Sequence, residues 1–209
     1  MTQEIEAKFL QVDFDLIREK LKAIGGVCRQ HMRMMKRVVL DFPDRDLQAN
    51  HGAWVRVRDE GNKITLTYKQ TVEHQFGGAN EIEVTVSSYE DTIAIFQKLG
   101  LVIHTDQETK RETWQIGTVE IVLDEWPWLD PYIEIEGPTK DSVQEVAQKL
   151  GLDWNDAIFG SITVAYRHQY PKISKEESIS QIPQIKFSLP VPDWFTKAAI
   201  EPWKNSFHP

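Results

Sequence analysis

The chain opens on a strict alternation of charged and apolar residues. Glu4, Glu6 and Lys8 occupy every second position, and the residues between them are apolar. Because successive side chains of a strand point to opposite faces of a sheet, this pattern predicts a strand with one charged and one apolar face. Further strand patterns occur in MKRVVLDF, AWVRVRDE, KITLTYKQ, NEIEVTV, KRETWQI, VEIVLDEW and YIEIEG. Turn residues at Gly61-Asn62 and Gly117 favour antiparallel hairpins between neighbouring segments.

Helical patterns follow three of these strands. In DFDLIREKLKAIGG, SSYEDTIAIFQKLG and PTKDSVQEVAQKLG, apolar residues recur at helical spacing, which predicts amphipathic helices. The expected N-terminal caps are Asp13, Ser87 or Ser88, and Thr139, and the expected stops are Gly25-Gly26, Gly100 and Gly151. Each helix needs an apolar surface to cover. If the helices pack on the apolar side of a curled sheet, its charged side becomes the inside of a closed or nearly closed barrel.

The C-terminal part of the chain differs in composition from the rest. We expect residues 1–170 to form one domain, followed by a tail, residues 171–209, that is rich in proline and aromatic residues. Within it, PDWFTKAAIE could form a short helix with Asp193 as its cap. Clustered aromatic residues are costly to leave exposed, so we expect the tail to pack on the outside of the domain. A lid over a site and a dimer contact are the alternatives.

Composition and charge narrow the classes of function. A hydrophobic content of 41% and a charged content of 27% are typical of a globular protein. The net charge of −8 argues against a nucleic-acid or anionic-membrane binder. Cys28 is the only cysteine, which excludes an intramolecular disulfide and a cysteine-based zinc site. The sequence shows no membrane-spanning stretch and no signal-peptide core, so we expect a cytoplasmic protein. We also expect it to be either a monomer or a homodimer.

The charged strand faces carry the candidate chemistry. For a single strand, a polar face in water is the simpler interpretation. Across the chain, however, acids cluster in some strands and bases in others. Converging arginines and lysines suit a polyanion, whereas carboxylates would repel it unless divalent cations lay between them. A barrel interior that holds both basic residues and carboxylates is therefore predicted to bind a polyphosphate together with Mg²⁺ or Mn²⁺, ions that take oxygen ligands.

These motifs also carry a family likeness. EIEAK resembles the Glu-x-Glu-x-Lys signature of the CYTH superfamily, the triphosphate tunnel metalloenzymes. The likeness continues in order through WVRVR, LTYK, EIEV, TKRE, IVLDE and YIEIEG, over roughly residues 1 to 170. The superfamily includes class IV adenylyl cyclases, thiamine triphosphatases and inorganic triphosphatases. The resemblance implies an α+β fold in which an antiparallel eight-stranded closed β-barrel binds a triphosphate and a divalent metal, with helices packed outside.

The resemblance also implies roles for individual residues. The implied metal ligands are Glu4, Glu6, Asp124, Glu134 and Glu136. The implied substrate-binding residues are Lys8, Arg56, Arg58, Lys69, Glu81, Glu83 and either or both of Lys110 and Arg111. Glu4, Glu6 and Lys69 are the implied catalytic residues. The glutamates at 81 and 83 could hydrogen-bond the basic residues instead of binding a metal.

The chain also departs from the family pattern. Many relatives have a Tyr-Tyr-Asp-like stretch after the first helix, where this chain has Val38-Val39-Leu40-Asp41, so no tyrosine can act there. Trp54 replaces the usual leucine before the paired arginines, and GSITVAYRHQY matches the closing motif loosely. We expect a metal-dependent phosphohydrolase acting on a triphosphate. The alternatives are an adenylyl cyclase that makes cyclic AMP and pyrophosphate from ATP, and a non-catalytic polyphosphate- or nucleotide-binding module.

Overall fold

A single antiparallel sheet dominates the fold. The computed structural model describes residues 5–71, 79–171, 173 and 179–196. Its strands are β1 (Ile5–Leu10), β2 (Val27–Asp41), β3 (Ala53–Asp59), β4 (Ile64–Thr71), β5 (Ala79–Val86), β6 (Val102–Ile116), β7 (Val119–Glu125), β8 (Tyr132–Gly137) and β9 (Gln184–Ile185). The first eight are ordered β1-β8-β7-β6-β2-β3-β4-β5 and are antiparallel throughout, while β9 runs parallel to β6. The predicted hairpins at Gly61 and Gly117 are confirmed by the β3–β4 and β6–β7 pairs.

The prediction of a closed barrel is not confirmed. Strands β1 and β5 are the two ends of the sheet, and no ladder joins them within the part of the chain that the structure describes. The outer edge of β1 is occupied instead by Ile158. The backbone N–H of Lys8 donates to the carbonyl of Ile158 at 2.9 Å, and the reverse hydrogen bond has the same length. Because these backbone groups of β1 are already paired, they are not available to β5.

Six α-helices accompany the sheet in the described residues. They are α1 (Phe14–Ala23), α2 (Asp46–His51), α3 (Tyr89–Lys98), α4 (Lys140–Lys149), α5 (Ile162–Gln169) and α6 (Asp193–Thr196). The predicted caps of α1, α3 and α4 are confirmed: Asp13, Ser88 and Thr139 each accept a hydrogen bond from a backbone N–H of the first turn. Thr139 also forms a capping box with Ser142. Side-chain oxygens thus satisfy N–H groups that the helix itself leaves unpaired.

The apolar core lies on one face of the sheet. Helices α1 and α4 place Leu21 and Val143, both fully buried, in one cluster with the strand residues Ile121 and Ile135. Residues at odd and even positions of a strand point to opposite faces, so covering this apolar face leaves the charged residues of the same strands on the other. The fold therefore assembles the charged residues into one concave surface.

The described part of the tail packs on the domain. Phe195 of α6 is fully buried and stacks on Tyr170, with a ring-centroid distance of 4.9 Å. Asp193 is the first residue of α6, whereas the sequence predicted it as the cap before the helix. The predicted continuation of this helix, residues 197–201, lies outside the described residues, as do 202–209. None of the described helices has the length and apolar character needed to cross a membrane.

Candidate metal and phosphate site

A cavity of about 850 Å³ occupies the concave face of the sheet. Both ends of the sheet contribute to its wall, because Glu6 and Lys8 come from β1 while Glu81 and Glu83 come from β5. The cavity is lined by most of the charged residues that the sequence singled out. These are Glu6, Lys8, Arg56, Arg58, Lys69, Glu81, Glu83, Arg111, Glu134 and Glu136.

Cross-strand pairing brings the cations of β3 and β4 beside the acids of β5. Arg56 pairs with Thr67, which pairs with Glu83, and Lys69 pairs with Glu81. Their side chains are in contact: Lys69 forms an ion pair with Glu81, and Arg56 lies 3.6 Å from a carboxylate oxygen of Glu83. Burial, together with the neighbouring Arg58, lowers the pKa of Arg56 to about 10. These contacts support the hydrogen-bonding role that the sequence left open for the two glutamates.

Three carboxylates come together at the other end of the sheet. Glu6 of β1 lies opposite Glu136 of β8, and Glu134 stands two residues away on the same face. One oxygen from each carboxylate lies within 4.8 Å of the other two. Oxygen atoms at this spacing suit a hard divalent cation such as Mg²⁺ or Mn²⁺. Burial and the adjacent charge of Glu134 raise the pKa of Glu6, as expected when two carboxylates share one site.

Lys8 lies among these carboxylates. Its ammonium nitrogen is 2.5 Å from Glu6 and 3.0 Å from Glu134, and it donates to the carbonyl of Gly160 at 2.9 Å. Although burial opposes ionisation of Glu134, Lys8 and Arg111 lower its pKa to about 2. The same carboxylates raise the pKa of Lys8 despite its burial. Lys8 thus favours the charged, metal-binding form of both acids, but only at Glu134 does its effect on the pKa outweigh burial.

Arg111 is held in place by a carboxylate on the neighbouring strand. Its Nε and NH2 groups donate to the two oxygens of Asp124 at 2.7 and 2.5 Å, and the hydroxyl of Tyr132 donates to Asp124 at 3.2 Å. Asp124 is fully buried. Both of its oxygens are therefore engaged, and it is not part of the three-carboxylate group that could hold a metal. In this position Asp124 fixes the guanidinium of Arg111, which lines the cavity.

Two described residues of the sequence-based set, Asp124 and Lys110, are not among those that line the cavity. Lys110 precedes Arg111 on β6, so its side chain points to the opposite face, where it forms an ion pair of 2.8 Å with Glu125. Of the adjacent pair Lys110 and Arg111, only Arg111 reaches the cavity. Glu4 lies outside the described residues.

Among the lining residues that the sequence analysis missed, two are in contact with each other. Arg37 on β2 pairs directly with Arg58 on β3 and shares its face of the sheet. Trp126 also lines the cavity, and the centre of its ring lies 4.7 Å from the guanidinium carbon of Arg37. The sequence could have placed Arg37 at the cavity, because it stands two positions before Val39 in β2 and therefore shares its face of the sheet. Apolar residues on both faces of that strand concealed it.

Comparison with known proteins agrees with this geometry. The sequence profile of the CYTH domain matches residues 2–158. The chain belongs to the CYTH family. The resemblance seen in the motifs of the sequence is thereby confirmed. Comparison with curated protein sequences gave no match.

Solved structures share the CYTH fold at low sequence identity. The PH1012 protein of Pyrococcus horikoshii is 24% identical, with a TM-score of 0.62, over 74% of this chain and 94% of its own. A protein of Vibrio parahaemolyticus described as a putative adenylate cyclase is 15% identical, with a TM-score of 0.68, over 77% of this chain and 95% of its own. The protein HpAC1 of Hippeastrum is 13% identical, with a TM-score of 0.54, over 85% of this chain and 100% of its own. It is described as a putative adenylyl cyclase with a dominant triphosphatase activity.

Proposed function

We propose that this CYTH protein is a divalent-metal-dependent phosphohydrolase that acts on a triphosphate. The observation that carries the proposal is the division of charge within one cavity. One oxygen from each of three carboxylates lies within 4.8 Å of the other two at one end of the sheet, and arginines and lysines line other parts of the wall. A triphosphate needs cationic groups for its oxygens, and a divalent cation makes its approach to carboxylates favourable. The triphosphatase activity ascribed to the Hippeastrum protein supports the same assignment.

The metal would be held by Glu6, Glu134 and Glu136, which offer the oxygen donors that Mg²⁺ or Mn²⁺ prefers. We retain Glu4 as a further ligand because it is the first acid of the Glu-x-Glu-x-Lys motif. When bound, such an ion polarises phosphoryl oxygens and neutralises charge. Lys8 contacts two of the carboxylates, so they must be shared between the ammonium group and the ion.

The basic residues of the wall would bind and orient the substrate. Arg56, Arg58 and Arg111 present guanidinium groups that match phosphate oxygens, and Lys69 adds a compact charge. Arg111 is already fixed by Asp124, so little reorganisation is needed when charge develops during phosphoryl transfer. Glu4 or Glu6 would orient the attacking water from the acidic end of the cavity.

Phosphate release tests the proposal directly. The purified protein is incubated with inorganic triphosphate, thiamine triphosphate or ATP, each with Mg²⁺ or Mn²⁺. We expect metal-dependent turnover of at least one of them, and we expect it to be abolished by Glu6→Gln. Absence of phosphate release from all three would refute hydrolysis. Tight triphosphate binding without turnover would then identify a non-catalytic binding module.

Cyclisation of ATP is the second candidate. The Vibrio protein with the same fold is described as a putative adenylate cyclase. In that reaction the 3′-hydroxyl of the ribose replaces water as the nucleophile, and fold alone does not decide between the two. Chromatography of an ATP reaction separates them. Cyclic AMP with pyrophosphate identifies the cyclase, whereas ADP with phosphate identifies the hydrolase.

A further inference from the structure

Arg37 is a buried cation without a carboxylate partner among the described residues. It is 6% exposed, and its NH2 group donates only to the hydroxyl of Thr109, at 2.6 Å. Three other cavity arginines differ, since Arg111 contacts Asp124, Arg58 contacts Glu60 and Arg56 lies near Glu83. A buried charge is costly unless it is paired. Arg37 therefore brings to the wall of the cavity a positive charge that no carboxylate of the described residues contacts, although Asp124 acts on it from a greater distance.

Arg37 and a neighbouring side chain each carry an unpaired hydrogen-bond donor. The Nε atom of Arg37 and the Nε1 atom of Trp126 are both buried and lack a hydrogen-bond partner within the described part of the chain. The two side chains are in contact, with the guanidinium carbon 4.7 Å from the centre of the indole ring. Both line the cavity, and both are at least nine-tenths buried. Unsatisfied buried donors are rare in folded proteins, so a pair of them at a cavity indicates a bound acceptor.

The charges around Arg37 favour an anion as that acceptor. Arg37 lies directly opposite Arg58 on the next strand, a like-charge pairing that destabilises a sheet. Burial, and then the nearby Arg58, Arg56 and Arg111, lower the pKa of Arg37. An anion would relieve this repulsion and satisfy both donors, whereas a neutral acceptor would do only the second.

We propose that Arg37 and Trp126 form a binding position for one phosphate group, separate from the carboxylates that could hold a metal. This inference rests on the proposed function for the identity of the anion, since a triphosphate offers three phosphate groups to one cavity. The guanidinium contributes charge and a planar set of donors, and the indole contributes one N–H donor. The phosphate could be the third group of the substrate or a free phosphate released by the reaction.

Binding measurements on single variants test the proposal. The probe is a triphosphate analogue with NH groups in place of its bridging oxygens, titrated by calorimetry with Mg²⁺ present. We expect Arg37→Met to weaken its binding by about tenfold or more, because a charge-assisted hydrogen bond is lost. Trp126→Phe keeps an aromatic ring but removes the N–H, and it should weaken binding by about three- to tenfold. Arg37→Lys should restore part of the affinity lost in Arg37→Met.

Lys36→Met is the matched control. Lys36 is the preceding residue on β2 and is exposed on the opposite face, so the variant removes the same charge outside the cavity. Its affinity for the analogue should stay within about twofold of wild type. Thermal denaturation without ligand shows whether Arg37→Met folds, and we expect a midpoint equal to or above that of wild type because an unpaired buried charge is removed. If this variant does not fold, Trp126→Phe and Arg37→Lys still decide the question.

Pyrophosphate and orthophosphate distinguish the two sources of the anion. If the position takes the third phosphate of the substrate, the variants lose affinity for the triphosphate analogue and bind pyrophosphate as wild type does. If it takes free phosphate, the variants lose affinity for orthophosphate as well. Folded Arg37→Met and Trp126→Phe proteins that bind all three ligands within about twofold of wild type would overturn the proposal. Lack of phosphate release in the turnover assay would refute hydrolysis but leave these measurements valid.

Discussion

At the scale of single residues, neighbouring cations of the cavity differ in what they do for the folded state. Arg58 lies 2.7 Å from an oxygen of Glu60, a carboxylate that is 4% exposed, whereas Arg56 reaches its nearest carboxylate at 3.6 Å. The contact between Arg58 and Glu60 is not a hydrogen bond, so it stabilises the folded state by electrostatic attraction alone. Removal of Arg58 would leave Glu60 with the more distant Arg33 and Lys63. Substitution of these two arginines should therefore have separate effects on triphosphate affinity and on the stability of the folded protein.

We predict that Arg56→Ala and Arg58→Ala both weaken triphosphate binding but differ in stability. Each loses a charge-assisted phosphate contact, so affinity should fall by about tenfold or more. Only Arg58→Ala should lower the free energy of unfolding, by about 1–3 kcal/mol, because it leaves a buried carboxylate less well paired. Calorimetric titration and urea denaturation measure the two quantities. Unchanged affinity in both folded variants would show that neither arginine binds substrate.

The pair Arg111 and Asp124 should behave as one unit. Asp124 is fully buried and accepts both of its short hydrogen bonds from Arg111. Asp124→Asn or Arg111→Met each leaves a buried charge without its partner, and each should cost about 3 kcal/mol of unfolding free energy. The double variant should cost less than the sum, with a coupling of at least about 1 kcal/mol. Urea denaturation of the four proteins measures this coupling, and additive effects would contradict the assignment of Asp124 as the residue that positions Arg111.

At the scale of secondary structure, the side chain of Glu112 joins helix α1 to the sheet. It lies on β6, on the face opposite the cavity, and accepts hydrogen bonds from Arg18 of α1 at 3.1 Å and from the indole N–H of Trp114 at 2.6 Å. Burial opposes ionisation of Glu112, but the contact with Arg18 outweighs it and lowers the pKa. This carboxylate therefore stabilises the fold only while it is ionised.

We predict that Glu112→Gln destabilises the protein at neutral pH and has less effect in acid. A carboxyl with a lowered folded pKa contributes its full stability above its unfolded pKa, near 4.5, and loses it as the pH falls through the folded value. The variant should therefore lose about 1.5–3 kcal/mol at about pH 7, and the difference from wild type should shrink below about pH 4.5. Urea denaturation across this range measures it. Glu19→Gln, which removes the same charge at an exposed position of α1, controls for the change in net charge.

The sequence predicted strands and helix starts better than strand ends or sheet closure. Alternation reveals a strand when one face is apolar, as in β1 and β8. The first halves of β2 and β6 carry polar residues on both faces, so alternation gave no signal and both 15-residue strands were predicted too short. Closure depends on which backbone groups pair with the edge of β1, and that partner, Ile158, carries no pairing signal in its side chain. The faces of the strands were predictable, but their pairing partners were not.

At the scale of the whole molecule, an acidic protein gathers part of its cations in one cavity. The chain carries a net charge of −8, yet its cavity collects arginines and lysines from several strands. Cations gathered in one cavity offer an anion a place to bind that the rest of an acidic surface does not. This arrangement is consistent with a small anionic substrate. It is also invisible in the composition, because only the alternation within strands places the cations together.

The described tail residues belong mainly to a second apolar cluster, which includes Tyr166 and Tyr170 of the preceding segment. Phe195 and Ile185 are fully buried in that cluster, whereas Ile179 also lines the cavity. We predict that deletion of residues 171–209 lowers the thermal midpoint and the solubility, because it exposes the remaining members of the cluster. Phe195→Ala should reproduce part of the loss, at about 3–5 kcal/mol of unfolding free energy, without shortening the chain.

Substrate affinity should survive this deletion in the molecules that remain folded. The charged residues that we assign to substrate binding lie on strands β1 to β8, and the tail adds only the apolar side chain of Ile179 among the described lining residues. Thermal denaturation and size-exclusion chromatography measure the stability and association of the shortened protein, and calorimetry with the triphosphate analogue measures its affinity. A stable, monomeric shortened protein with greatly weakened affinity would show instead that the tail closes the site, as a lid does.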